Sequence, residues 1–165
     1  RVHAAEGEVV AHHVLHLETA ALASHEVELG AARIDVLQVQ EVLRCQPMTP
    51  VPLAPVVIEG LINLRGQIVT AIDMRRRLGL PPRAGGETSM NVVVRTEDGA
   101  VSLLVDEIGD VVEADSSSFE RPPENLDPAI SGLVRGIHKL KDKLLLVLDT
   151  GQTLSLGAGQ GERTL

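Results

Sequence analysis

Arginine is the residue type most suggestive of chemistry in this chain. Arg65 lies between two apolar runs in GLINLRGQIVTAIDMRRRLGLPPR, residues 60–83, and Arg75, Arg76 and Arg77 follow in a row. A guanidinium is always charged and presents a planar fork of donors, so such residues bind phosphate, read nucleic acid or fix one surface against another. Phosphate calls for backbone amides from a glycine-rich loop or a helix N-terminus, and one arginine in an NLRG turn is a weak anion site without them. Nucleic acid calls for a basic stripe, whereas here 15 Lys and Arg face 23 Asp and Glu, for a formal net charge of −8. That field repels a polyanion, and no nucleic-acid partner is expected. Phe119 is the only aromatic residue, so bases and sugars have nothing to stack on.

The other reactive residue types fail by spacing. His25-Glu26 starts like a zincin helix, but Leu29 stands where the second histidine is required. His12 and His16, with His13 and Glu18 nearby, suit a metal on a helix face, yet no third ligand has metal-site spacing. A surface histidine cluster is the simpler reading. GAGQG, residues 157–161, looks like a phosphate loop only superficially, because no helix follows it; a flexible tail is expected there. Cys45 is alone, which excludes an intrachain disulfide or a multi-cysteine zinc site and suits the cytosol. No GxSxG, Walker A or paired Cys-His arrangement is present. No catalytic residue, metal site or cofactor is therefore expected, and the chain reads as a non-enzyme. It has no run of 18 apolar residues and no basic-then-apolar N-terminus, so no direct membrane insertion is expected.

The elements that position these residues follow from pattern and punctuation. With 165 residues, 44% of them hydrophobic, the chain suits one compact domain or two small barrels sharing a core. In EVVAHHVLHLETAALAS, Val10, Val14, Leu17 and Ala21 fall at helical spacing; a helix is expected, although VLHL reads equally as a short strand. His25 to Leu29 alternates as a strand and Gly30 turns the chain. Ile34, Val36, Leu37 and Val39 then lead to a short helical turn ending near Arg44. PMTPVPLAP, residues 47–55, must be a surface connection.

After the turn at Arg65 and Gly66, QIVTAID reads as a strand, with Ile68 and Ile72 marking its more buried positions. Asp73 is placed to cap a short helix, MRRRL, whose inner face is Met74 and Leu78, which leaves Arg75 to Arg77 largely facing solvent. Gly79 and Pro81-Pro82 end that helix. NVVV and VSLLV form a hairpin through Asp98-Gly99, and GLVRGIHKLKDKLLLVL forms another turning at Lys141 to Lys143, with the polar loop EADSSSFERPPENLDPA between them. Many short strands with little helix point to a mainly β fold of small antiparallel barrels.

Together, VLQVQEV, GLINLRGQIVTAIDMRRRLGLP, NVVV followed by LLVDEIGDVV, and ISGLVRGIHKLKDKLLLVLD closely resemble the CheW domain, the coupling module of bacterial chemotaxis arrays. The resemblance runs over about residues 25 to 150 in order. It departs at the family's aromatic-rich opening strand, where this chain has Val, Leu and Ala, and at Thr70, where a proline is common. The resemblance implies two SH3-like barrels side by side with short helices, a CheW-like domain over 25–156 between an extension, 1–24, and a Gly-rich tail, 157–165. It also implies a non-catalytic adaptor that joins a chemoreceptor signalling tip to the regulatory domain of the histidine kinase CheA, cytoplasmic and recruited to membrane-associated receptor arrays. Mapped onto matching positions, the receptor-facing groove takes Val36, Val39, Glu41 and Arg65, and the kinase-facing barrel takes Gly60, Met90, Ile108 and Val111. Val36 and Val39 share a helical face on this reading, and Glu41 pairs with Arg65. Because the chain opens at Arg1 without a methionine, a CheW-like regulatory domain of a CheA-type kinase, or of a CheW-receiver fusion, remains the alternative.

Overall fold

The computed structural model describes residues 9–16, 31–35, 38–85, 88–139 and 144–156. The expected strand from His25 to Leu29, the turn at Lys141 to Lys143, Val36 and the Gly-rich tail lie outside them. The middle of the chain supplies one sheet: β3 (Val39–Arg44), β4 (Ile58–Leu64), β5 (Gln67–Asp73), β6 (Met90–Thr96) and β7 (Gly99–Val105), in the order β3-β6-β7-β5-β4. The two ends of the chain supply the other, from β1 (Val9–His16), β2 (Ala31–Asp35), β8 (Glu107–Asp115), β9 (Phe119–Glu120), β10 (Val134–Lys139) and β11 (Leu144–Leu148), in the order β8-β1-β2-β11-β10-β9. Among the described residues, three short α-helices accompany them, α1 (Met74–Arg77), α2 (Pro128–Ser131) and α3 (Thr150–Leu154).

In the five-stranded sheet the register separates two faces. Val92 lies opposite Leu103, and Leu103 opposite Ile72; these join Ile34, Ile137, Leu146 and Leu148 of the second sheet in one core. The alternate residues Val93, Ser102 and Ala71 line the other face and are also buried, because the sheet curls on itself. The curl is closed by the Pro-rich connection after β3. Thr49 and Leu61 exchange two backbone hydrogen bonds, 2.9 and 2.8 Å, which joins the two sheet edges. Gly60 makes this approach feasible: a Cβ there would stand 2.7 Å from the Thr49 carbonyl oxygen. Inside this barrel Asn91 is fully buried; its side chain donates to Ser102 Oγ at 2.9 Å and accepts from the Gln46 amide at 3.1 Å.

Two small SH3-like barrels of mainly β structure thus lie side by side, with three departures from the sequence reading. Each sheet contains one parallel contact, β5 with β7 and β2 with β11, so the barrels are not purely antiparallel. Residues 9–16 form a strand between β8 and β2 instead of a helix, and Val39 to Arg44 form a strand against β6 instead of a helical turn. In both segments pairing on two edges or against a valine-rich neighbour outweighs local helical spacing. Consequently His12 and His16 lie about 13 Å apart along an extended strand, which removes the geometry of a helical metal pair. Ile68 is 63% exposed whereas Ile72 is buried, because the start of β5 runs past the core toward the hairpin turn.

Candidate functional site

The β4–β5 hairpin turns through Arg65 (φ 52°) and Gly66 (φ 83°), both left-handed, as a two-residue hairpin with right-handed strand twist demands. Glycine adopts this conformation freely, whereas an arginine there is strained, and such strain in a turn points to a residue held for a reason other than folding. Asn63 supports the turn, its Oδ1 accepting from the Gly66 amide at 2.9 Å. The Arg65 guanidinium reaches across the barrel mouth and donates to Glu41 Oε1 on β3 at 2.6 Å, while its side chain stays 81% exposed. The pair lines a cavity of about 170 Å³ together with Gln40, Leu64, Gln67, Val69, Val93 and Ala100. An exposed cation oriented by a carboxylate beside a small depression of mixed polar and apolar lining can receive a polar or charged group from a partner.

The implied groups of site residues are only partly brought together. Glu41 and Arg65 meet. Val39 lies two residues before Glu41 but across a bulge, opposite Val94 on a strand, and it packs against the core between the barrels; Val36 lies outside the described residues. The other group spans both barrels instead of occupying one: Gly60 and Met90 belong to the first sheet, Ile108 and Val111 to β8 of the second. Met90 and Ile108 are half-buried and pack against the same core, whereas Gly60 is buried beneath Thr49.

Of the three arginines expected to face solvent, Arg76 is exposed and Arg77 half-buried, whereas Arg75 is buried, which corrects the expectation for that residue. Asp73 caps α1 as expected, accepting from the Arg75 amide at 2.9 Å, and Met74 and Leu78 point into the core. Arg75, however, is buried and forks onto Asp106, with Nε 3.0 and 2.9 Å from its two oxygens, and it also donates to the Pro81 carbonyl at 2.8 Å. Arg76 pairs with Glu59 at 2.8 Å. Arg77 donates to the carbonyls of Thr153, Gln152 and Ser155 at 3.1, 2.8 and 2.9 Å, closing the end of α3. Each arginine therefore ties α1 to a different part of the chain. Sequence reasoning missed Asp106 and Arg83, which complete the buried cluster with Asp73. The available signal was the Asp106-Glu107 pair, two carboxylates between two apolar strand patterns.

Among the described residues no helix is long and apolar enough to cross a membrane, and no group of three or more metal-ligating side chains occurs. A family model described as CheW-like domain matches residues 26–157. Chemotaxis protein CheW of Bacillus subtilis (strain 168) is 32% identical over 127 residues, covering 77% of this chain and 81% of that protein. Its counterpart in Thermotoga maritima is 29% identical over 128 residues, covering 76% and 82%. Among solved structures, the scaffolding protein TtCheW from Thermoanaerobacter tengcongensis superimposes with a TM-score of 0.73 at 27% identity, over 96% of this chain and 99% of that one. With the family model matching residues 26–157, a relative 32% identical over 77% of the chain and a superposition over 96% of it, the chain belongs to the CheW-like domain family.

Proposed function

We propose that this protein is a non-catalytic adaptor of a chemotaxis array that couples a chemoreceptor signalling tip to the regulatory domain of a CheA-type histidine kinase. It acts in the cytoplasm and reaches the membrane only through those partners. The family membership supports the role, since the relatives are named chemotaxis and scaffolding proteins and not kinases. The observation that carries the receptor surface is the Arg65–Glu41 pair, a strained and exposed arginine held by a carboxylate over a cavity at the barrel mouth. Val39 and Val36 belong to the same surface on this reading, and Gly60, Met90, Ile108 and Val111 to the kinase surface. The functional unit is residues 25–156, to which the extension 1–24 adds strand β1, with 157–165 as a tail.

Titration calorimetry of Arg65→Ala with a receptor tip fragment tests the reading. An exposed ion pair contributes about 0.2–1 kcal/mol to folding, so the melting temperature should move little. A charged hydrogen bond at an interface is worth roughly 1.5–3 kcal/mol, so receptor affinity should fall about tenfold or more while kinase affinity holds. Unchanged receptor affinity in the folded variant would reduce Arg65 to a turn residue.

A further inference from the structure

Asp106 is the single residue between β7 in the first barrel and β8 in the second, so the chain changes sheets at this point. Its carboxylate is held by two guanidiniums that both belong to the first barrel's side. Arg75 on α1 forks onto it, with Nε 3.0 and 2.9 Å and Nη2 2.8 Å away. Arg83, just after Pro81-Pro82, brings its Nε within 2.6 Å of Asp106 Oδ1 and its Nη1 within 3.4 Å of Asp73 Oδ2, and it donates from Nη2 to the Leu104 carbonyl at 3.3 Å. Arg75, Arg83, Asp73 and Asp106 thus form a knot of ion pairs in which every side chain is at most 13% exposed, with the more exposed Arg76 at its edge, 3.8 Å from Asp73.

The apolar core already presses the barrels together, but apolar contact is not directional, whereas a forked guanidinium–carboxylate contact fixes both distance and angle. The knot grips the one residue at which the direction of β8 is decided, two positions before Ile108. Its anchors, the Asp73 cap and α1, end β5, the strand that leaves the Arg65 turn. We propose that the Asp73–Arg75–Arg83–Asp106 knot is an orientation lock that sets the angle between the barrels and so presents β8, with Ile108 and Val111, to the kinase. The four residues are positioning residues and touch no partner. The kinase part of this inference rests on the surface assigned under the proposed function; the lock itself does not.

The test uses the full chain with Cys45→Ser, spin-labelled through Arg95→Cys on β6 and Arg135→Cys on β10, both exposed positions, one in each barrel. Pulsed electron resonance should give one narrow distance in this background and a clearly broadened or displaced one after Asp106→Asn, which keeps the shape and removes the charge. Arg83→Lys keeps a charge but loses the planar guanidinium that spans Asp106, Asp73 and the Leu104 carbonyl, and should broaden the distance less while remaining well folded; it carries the test if the asparagine variant does not fold. Calorimetry with a CheA regulatory fragment should show at least a tenfold loss for the broadened variants, with receptor-tip affinity within twofold. An unaltered narrow distance in either folded variant overturns the lock. A broadened distance with full kinase affinity supports the lock and removes β8 from the kinase surface.

Discussion

Gly60 separates a structural role from a contact role, and the structure gives the size of the effect. Gly60→Ala would set a methyl 2.7 Å from the Thr49 carbonyl oxygen, 3.1 Å from its carbon and 3.2 Å from Met48 Cβ. Two of those three atoms are backbone, so relief requires the Pro-rich connection to move away from β4. The hydrogen bonds at risk are the pair between Thr49 and Leu61, 2.9 and 2.8 Å, which close the first barrel. At about 0.5–1.5 kcal/mol each, losing both costs about 1–3 kcal/mol, the same range as overpacking a filled site. A chain of this size loses about 2–4 °C of melting temperature per kcal/mol, so a fall of about 6 °C is the central expectation. Scanning calorimetry reads the fall, and amide exchange at Thr49 and Leu61 should accelerate with it. A melting temperature within a degree of the parent, with both amides still protected, would refute the closure argument. Kinase binding lost under those conditions would make Gly60 a contact residue.

Arg77→Ala removes the donor to three carbonyls at the end of α3, and α3 should fray while both barrels persist. Hydrogen bonds from a charged donor are worth about 1.5–3 kcal/mol, and partial exposure at Arg77 puts the loss near the lower figure, readable by denaturant titration and by faster exchange of the Thr153 amide. Leu53→Gly should stabilise the protein, since Leu53 is left-handed (φ 62°) and fully exposed. Relief of about 1–2 kcal/mol of strain, less the backbone entropy of glycine, leaves a gain of roughly 0.5–1 kcal/mol, seen as a rise in melting temperature. A fall would mean that the leucine side chain packs in solution.

The parts of the fold legible in the sequence are those encoded within a few residues. The Asp73 cap and the turn at Arg65-Gly66 depend on side-chain chemistry over spans of two to four positions, and both are present; the hairpin expected through Asp98-Gly99 is also present, but its turn residues are Glu97 and Asp98, with Gly99 already paired to Thr96. The Glu41–Arg65 pair spans 24 residues, and only the family resemblance implied it. What escaped was long-range. Arg75 meets Asp106 across 31 residues and Arg77 meets Ser155 across 78, and no local period encodes such partners. The inference that Met74 and Leu78 turn Arg75 outward assumed a helix with one buried side. A four-residue helix at the seam of two barrels is enclosed on several sides, so its flank is buried as well. The N-terminal strand failed for a related reason: Val10 and Val14 suit a helix locally, but β2 and β8 offer two open edges.

The distribution of the arginines bears on how an adaptor works. A protein that binds two partners without chemistry contributes their relative placement, and any slack in that placement costs ordering entropy on assembly. In an acidic chain of 165 residues, Arg75, Arg77 and Arg83 are committed to internal contacts that tie α1, α3 and the β7–β8 junction together. Arg65 alone of this set stands 81% exposed, and a nearby carboxylate orients even that one. In the adaptor role we propose, the internal arginines hold the two surfaces in a fixed relation, and the external one stands on the same frame. A rigid frame of this kind moves little when partners bind. The stiffness that a catalyst devotes to its reacting groups is here devoted to the angle between two faces.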